Sequence, residues 1–151
     1  MNQSPGISFK AILIGALADV GGSIVTGIVA AAILGISLAR QGVPESDIEA
    51  RLIQTLQNPA VLVGILVVGL GFDFLGGFIA GRIAKRGEVM HAGMAGVLAL
   101  LLALLLFGSD TPMWFNAVAF LLIVPTSMLG GQAAKQDTST HSSVKSVSWG
   151  H

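Results

Sequence analysis

Two carboxylates stand where the chain is otherwise apolar. Asp19 lies in the run from Ala11 to Ala39, and Asp73 in the middle of GLGFDFLGGFIAGR, residues 69–82. An ionisable residue inside a segment hydrophobic enough to span a bilayer is costly, and such residues usually face other protein or water. The surroundings of the two repeat at a step of 54. Gly15, Asp19, Gly22, Gly27 and Ala30 recur as Gly69, Asp73, Gly76, Gly81 and Ala84. Two carboxylates facing each other in low dielectric cannot both stay charged, so a proton or a cation would be held between them. The structural alternative is that both are protonated, or are bonded to neighbouring Ser, Thr and backbone carbonyls, and join helices.

No other constellation suggests chemistry. The absence of cysteine excludes disulfides, thiolate catalysis and zinc–thiolate sites. The sequence shows no Ser-His-Asp arrangement, no zinc spacing and no phosphate loop, because its glycines fall inside helices. His141 and His151 lie in the C-terminal tail without metal-ligand spacing. His91 sits just inside a helix and reads as a structural group, with a pH-sensitive role as the sharper alternative. We therefore expect no enzyme, no catalytic residue, no cofactor and no metal.

Composition says what must position the aspartates. Of 151 residues 53% are hydrophobic and 11% charged, against about 25% charged in soluble domains. The mean hydropathy is +0.81. Runs of about 20 or more apolar residues predict membrane-spanning helices. The fold expected is an all-α integral membrane four-helix bundle, a single domain over residues 1–134, with the lipid bilayer as its medium. A formal net charge of zero gives no electrostatic case for nucleic acid.

The helices follow from their boundaries. The first spans about 9–39. It is too long for the apolar core of about 7–15 residues in a signal peptide, so it reads as a retained span. Ser46-Asp47-Ile48-Glu49 fits a capping box. It predicts an amphipathic helix over about 47–57, lying at the membrane surface or packed on the bundle ends. Asn58-Pro59 is a cap followed by a first-turn proline and opens a helix over about 59–84. A basic turn, Lys85 to Glu88, leads to a third span over about 89–107. Gly108-Ser109-Asp110 forms the next turn, and Thr111-Pro112 opens the fourth span over about 112–134. Pro125 inside it should bend it near Leu121. Residues 135–151, rich in Ser and Thr, read as a disordered cytoplasmic tail.

Depth can be compared across these helices. Asp19 lies nine residues beyond Lys10, Asp73 nine before Arg82, and Thr126 nine before Lys135. Nine residues of helix rise about 13.5 Å, close to half the hydrocarbon thickness. Asp19, Asp73, Thr126 and Ser127 thus share one level near the midplane and form the candidate proton or cation site. The third helix offers the small Ala95 and Gly96 there. Glycines expected to let helix backbones approach are Gly15, Gly22, Gly27, Gly69, Gly76, Gly77, Gly81 and Gly96.

The stretch GGFIAGRIAKRGEVMHAGMAG resembles the central hairpin of uncharacterised small four-helix bacterial membrane proteins. In these a GGxxAGxxA helix end, a basic turn and a His-Ala/Gly-x-x-x-Gly start recur. Gly76, Gly77, Ala80, Gly81, Ala84, His91, Ala92 and Gly96 carry the resemblance. It implies a bacterial inner-membrane location and four spans, and it brings no activity. The leading expectation is a structural or assembly role, as a homo-oligomer or as a subunit of a larger membrane complex. The alternative is a small proton- or cation-coupled transporter or channel using Asp19 and Asp73.

Lys10, Arg82, Lys85, Arg86, Lys135 and Lys145 fall on one side of a four-span chain, and Arg40 and Arg51 on the other. By the positive-inside rule both termini are cytoplasmic. Reporter fusions at Ser139 and at Asp47 should then report opposite sides of the membrane, and matching signals would refute four spans.

Overall fold

The computed structural model describes residues 6–106 and 111–147, which form five helices joined by short turns. They are α1 (Phe9–Arg40), α2 (Glu45–Leu56), α3 (Pro59–Ala84), α4 (Glu88–Leu106) and α5 (Met113–Val147). Four are long and apolar enough to cross a membrane: α1, α3, α4 and the Met113–Gln136 part of α5. The turn expected at Gly108–Asp110 and the chain end with Trp149 and His151 lie outside the described residues.

Local chemistry accounts for most boundaries. Ser8 caps α1, its Oγ accepting from the Ala11 N–H at 3.4 Å. The helix stops where Gly42 takes a φ of +79°. Asn58 caps α3, its Oδ1 accepting from the Ala60 N–H at 2.9 Å, with Pro59 in the first turn. Lys85 ends α3 in the left-handed region, φ +58°, its N–H bonded to the Gly81 carbonyl. Gly87, at φ +64°, completes the reversal into α4.

Two expectations are corrected. The capping box at Ser46 does not form. The chain enters α2 two residues earlier, from Pro44, and Ser46 Oγ donates to Asp47 Oδ1 at 3.0 Å. Pro44 presets the backbone, and Glu45 and Asp47 place negative charge in the first turn, where the helix dipole favours it. The tail also departs from disorder, since α5 continues as helix from Lys135 to Val147. No Gly or Pro interrupts the chain between Gly131 and Gly150, and extending a formed helix is far easier than starting one. The same helix runs through Pro125.

The α3–α4 hairpin lies at the centre. α1 packs on one side of it and α5 on the other, each touching both hairpin helices, and α1 and α5 do not meet among the described residues. Gly15 opposite Gly76 and Gly22 opposite Phe72 show that α1 and α3 run antiparallel, whereas Gly77 opposite Ser127 and Gly81 opposite Ala134 show that α3 and α5 run parallel. α2 touches α1 and α3, and none of its residues is buried.

The core is built of small residues. Among the described residues seven of the eleven buried apolar ones are alanine, so close backbone approach, not bulk, fills the interior. Large apolar side chains such as Ile28, Ile33, Leu101, Leu105 and Leu121 are exposed, as suits helices long and apolar enough to cross a membrane. A Cβ on Gly77 would collide with the Ser127 carbonyl, and one on Gly130 with the Phe74 carbonyl.

Gly27 and Gly69 depart from the packing expected of them. Nothing lies within 4 Å of where their Cβ atoms would stand. Gly77→Leu and Gly130→Leu should therefore cost more than the roughly 1–3 kcal/mol of ordinary overpacking, because backbone blocks the way. Gly27→Leu and Leu101→Ala should be mild. Thermal unfolding in detergent ranks the four, and the reverse order would show that the faces are misassigned.

Candidate functional site

α1 and α3 cross at Gly15, Asp19, Gly76 and Ala80. A Cβ on Gly15 would stand 2.7 Å from both the Ala80 Cβ and the Gly76 carbonyl oxygen. A Cβ on Gly76 would stand 2.7 Å from the Asp19 Cβ and from the Gly15 carbonyl oxygen. Glycine at 15 and 76 thus brings the two backbones into contact and sets Asp19 against α3 within one turn of Asp73. The two carboxyl side chains face each other across this crossing. Asp19 is 5% exposed and Asp73 7%.

The pair is walled by small and apolar groups. Phe72 lies against Gly22, one turn along α1 from Asp19. α4 presents Ala95 against Gly15, and Ala99 against Ala16 and Val20. Ser127 Oγ on α5 donates to the Asp73 backbone carbonyl at 3.1 Å, and Ser127 is 1% exposed. Asp73 therefore joins three helices: its side chain meets α1 and its backbone meets α5. Every buried side-chain nitrogen or oxygen among the described residues has a hydrogen-bond partner. A shallow groove on α3, lined by Val68, Gly71, Phe72 and Leu75, is apolar.

Of the four candidate site residues, Asp19, Asp73 and Ser127 form one chain of contacts, spaced by the step of 54, in which Ser127 bonds the Asp73 carbonyl. Thr126, one position round the helix, is half-buried and is not a member of that chain. Gly22, Gly76 and Gly130 share the step and each lies at an interface between these helices. The copies differ in direction, α1 inverted relative to α3 and α5 parallel to it. Among the described residues no three His, Asp or Glu side chains converge as a metal site would require.

Two features go beyond the sequence reading, which took His91 as a structural group without naming its partners and left Gly131 unassigned. His91 is fully buried, and its ring ties two segments together. Nε2 accepts from the Ser8 N–H at 2.9 Å, and Nδ1 faces the Gly87 carbonyl at 2.9 Å. Nε2 as acceptor puts the proton on Nδ1, which donates to Gly87. The imidazole thereby links the start of α1 to the α3–α4 turn. The second feature is Gly131, where a Cβ would stand 2.6 Å from the Ala92 Cβ. The tandem Gly130-Gly131 was a signal for it.

The chain matches no protein-family model, no curated protein and no solved structure.

On the structural reading the Asp19–Asp73 contact only joins α1 to α3. Asp73→Asn keeps shape and bonding and should be neutral or stabilising. Asp73→Leu leaves Asp19 buried without its partner and should cost about 1–3 kcal/mol or more. Thermal unfolding of both variants in detergent compares them, and equal losses would show that Asp19 does not depend on Asp73.

Proposed function

We propose that this chain is a small integral protein of a bacterial inner membrane, with both termini cytoplasmic and a non-catalytic role in assembly. It would act as a homo-oligomer or as a subunit of a larger membrane complex. The observation that carries this reading is the use made of the midplane polar groups. Asp19, Asp73 and Ser127 are spent on one another and on backbone, within walls of glycine, alanine and phenylalanine. A transport path would need a wetted route to Asp73, and nearly sealed carboxyls support the assembly reading over a proton- or cation-coupled carrier.

The outer surface supports the same reading. The second half of α1 exposes Ile24, Val25, Ile28, Val29, Ile33 and Ile36. Gly27 and Gly35 lie open on that half: among the described residues no other element comes within 4 Å of where their Cβ atoms would stand. Lipid or another helix must cover such a length. The basic residues at the termini side and the hairpin resemblance support the orientation and the membrane named.

Cross-linking in native membranes, followed by native mass measurement in mild detergent, tests the proposal. A discrete oligomer, or one partner at fixed stoichiometry, is expected. A monomer in both measurements would overturn it.

A further inference from the structure

We propose that the end of the bundle holding the start of α1 and the α3–α4 turn binds the phosphate headgroups of anionic phospholipids, through Lys10, Arg82, Lys85, Arg86 and Lys135. The inference goes beyond the assembly role. It needs only that the four apolar helices cross a bilayer, and it holds whichever side that end faces and whether or not copies associate.

The fold gathers these five cations from three helices and a turn. The Ser8 N–H on His91 Nε2, at 2.9 Å, seats the start of α1 beside the start of α4 and the turn before it, which holds Lys85 and Arg86. A Cβ on Gly81 would stand 2.9 Å from the Ala134 Cβ. Arg82 and Lys135 each follow one member of that contact, so they stand at one level. All five are exposed.

Charge is divided between the two ends, which the formal net charge of zero conceals. At this end the acids are Glu88 and Asp137, and Glu88 is half-buried. At the other end Arg40 and Arg51 stand with Glu45, Asp47 and Glu49. Lys85 adds a second sign. It takes the left-handed backbone that ends α3, φ +58°, a position that glycine or asparagine fills more easily. The chain keeps a cation there instead.

Depth decides which anion these groups meet. Lys10 lies nine residues from Asp19 and Arg82 nine from Asp73, and nine residues are about 13.5 Å of helix. Half the hydrocarbon core is about 15 Å. Long basic side chains at the ends of spans reach the interface, and the anions at that depth are lipid phosphates. Arginine takes a phosphate through two parallel N–H···O bonds, and lysine takes it as a point charge. The Arg82 guanidinium is already oriented, its Cζ 5.6 Å from the centroid of the Phe78 ring. A zwitterionic lipid offers the same phosphate with a cation of its own beside it, so a basic rim selects the headgroup with net negative charge.

The test uses the full chain in nanodiscs of phosphatidylcholine with a minor share of phosphatidylglycerol. Spin-labelled forms of the two lipids report, by electron paramagnetic resonance, the fraction of each immobilised against the protein. Phosphatidylglycerol should be retained about twofold or more over phosphatidylcholine, a roughly fivefold preference at one basic residue averaged over every lipid touching the bundle. The excess should vanish near about 1 M salt. It should vanish too when Lys10→Gln, Lys85→Gln, Arg86→Gln and Lys135→Gln are combined, and persist in Arg40→Gln with Arg51→Gln. Equal retention of the two lipids would overturn the proposal, as would an excess that the fourfold variant keeps. So would an excess abolished by inorganic phosphate but not by chloride at equal ionic strength, which marks a site for the free anion. Should the fourfold variant not fold, Lys85→Asn with Arg86→Gln, confined to the exposed turn, decides instead. There the excess should fall, and an unchanged ratio overturns the proposal. A chain that immobilises neither lipid would overturn the membrane reading as well, so the two failures are told apart.

Discussion

Lipid tails are as apolar as leucine, so the bilayer gives apolar side chains no reason to seek one another. Helices associate there through close backbone contact and through polar groups that find no water. Asp73 is where both conditions are met at once. Its side chain engages α1 and its carbonyl engages α5. Consecutive residues of a helix point about 100° apart. The neighbouring Gly76 and Gly77 therefore open two faces of α3, one to the backbone of Gly15 and the other to that of Ser127. Remove either glycine and one of the two polar joints loses its register.

The remaining contacts set that register from the other helices. His91 ties the first turn of α1 to the α3–α4 turn, and the Ala95 and Ala99 face of α4 lies along Ile12, Ala16 and Val20. These points advance in step, 8 with 91, 12 with 95 and 16 with 99, as two parallel helices require. Asp19 reaches Asp73 because α1 is held at its end and along its length before the carboxyls are considered. Placing two acids side by side is costly, so the surrounding small-residue contacts must over-determine the crossing.

Much of this was legible in the sequence, for a simple reason. An aspartate is rare in an apolar run, and helix rise converts residue counts from the basic ends into depth. That arithmetic put Asp19, Asp73, Thr126 and Ser127 on one level, and of the last two only Ser127 turns toward Asp73. The Asn58-Pro59 start was equally readable, because its cap is local. What failed depended on which neighbour a residue meets. Gly27 and Gly69 matched packing glycines in the repeat, as partners of Gly81 and Gly15. But α1 and α3 are antiparallel, so the matched positions lie on opposite sides of the aspartate level. Gly15 and Gly81 fall toward the end with Ser8 and the Lys85–Gly87 turn, where helices are in contact. Gly27 and Gly69 fall toward the other end, where nothing meets them. The Ser46 box and the polar tail failed differently. Pro44 and the formed turns of α5 outweighed side-chain preferences that are individually small.

The 54-residue step carries one more implication. At its third position the chain uses Ser127, and that hydroxyl joins α5 to α3 with a neutral hydrogen bond. A joint at this depth therefore needs no acid. Asparagine or serine at position 19 would meet Asp73 with donors of its own and would require no added proton. Two aspartates have no donor between them until a proton is bound. One side of Asp73 is joined by a hydroxyl that brings its own donor, and the other meets a second acid that brings none. The difference lies in residue type at equivalent positions, and no property of the bundle as a scaffold calls for it.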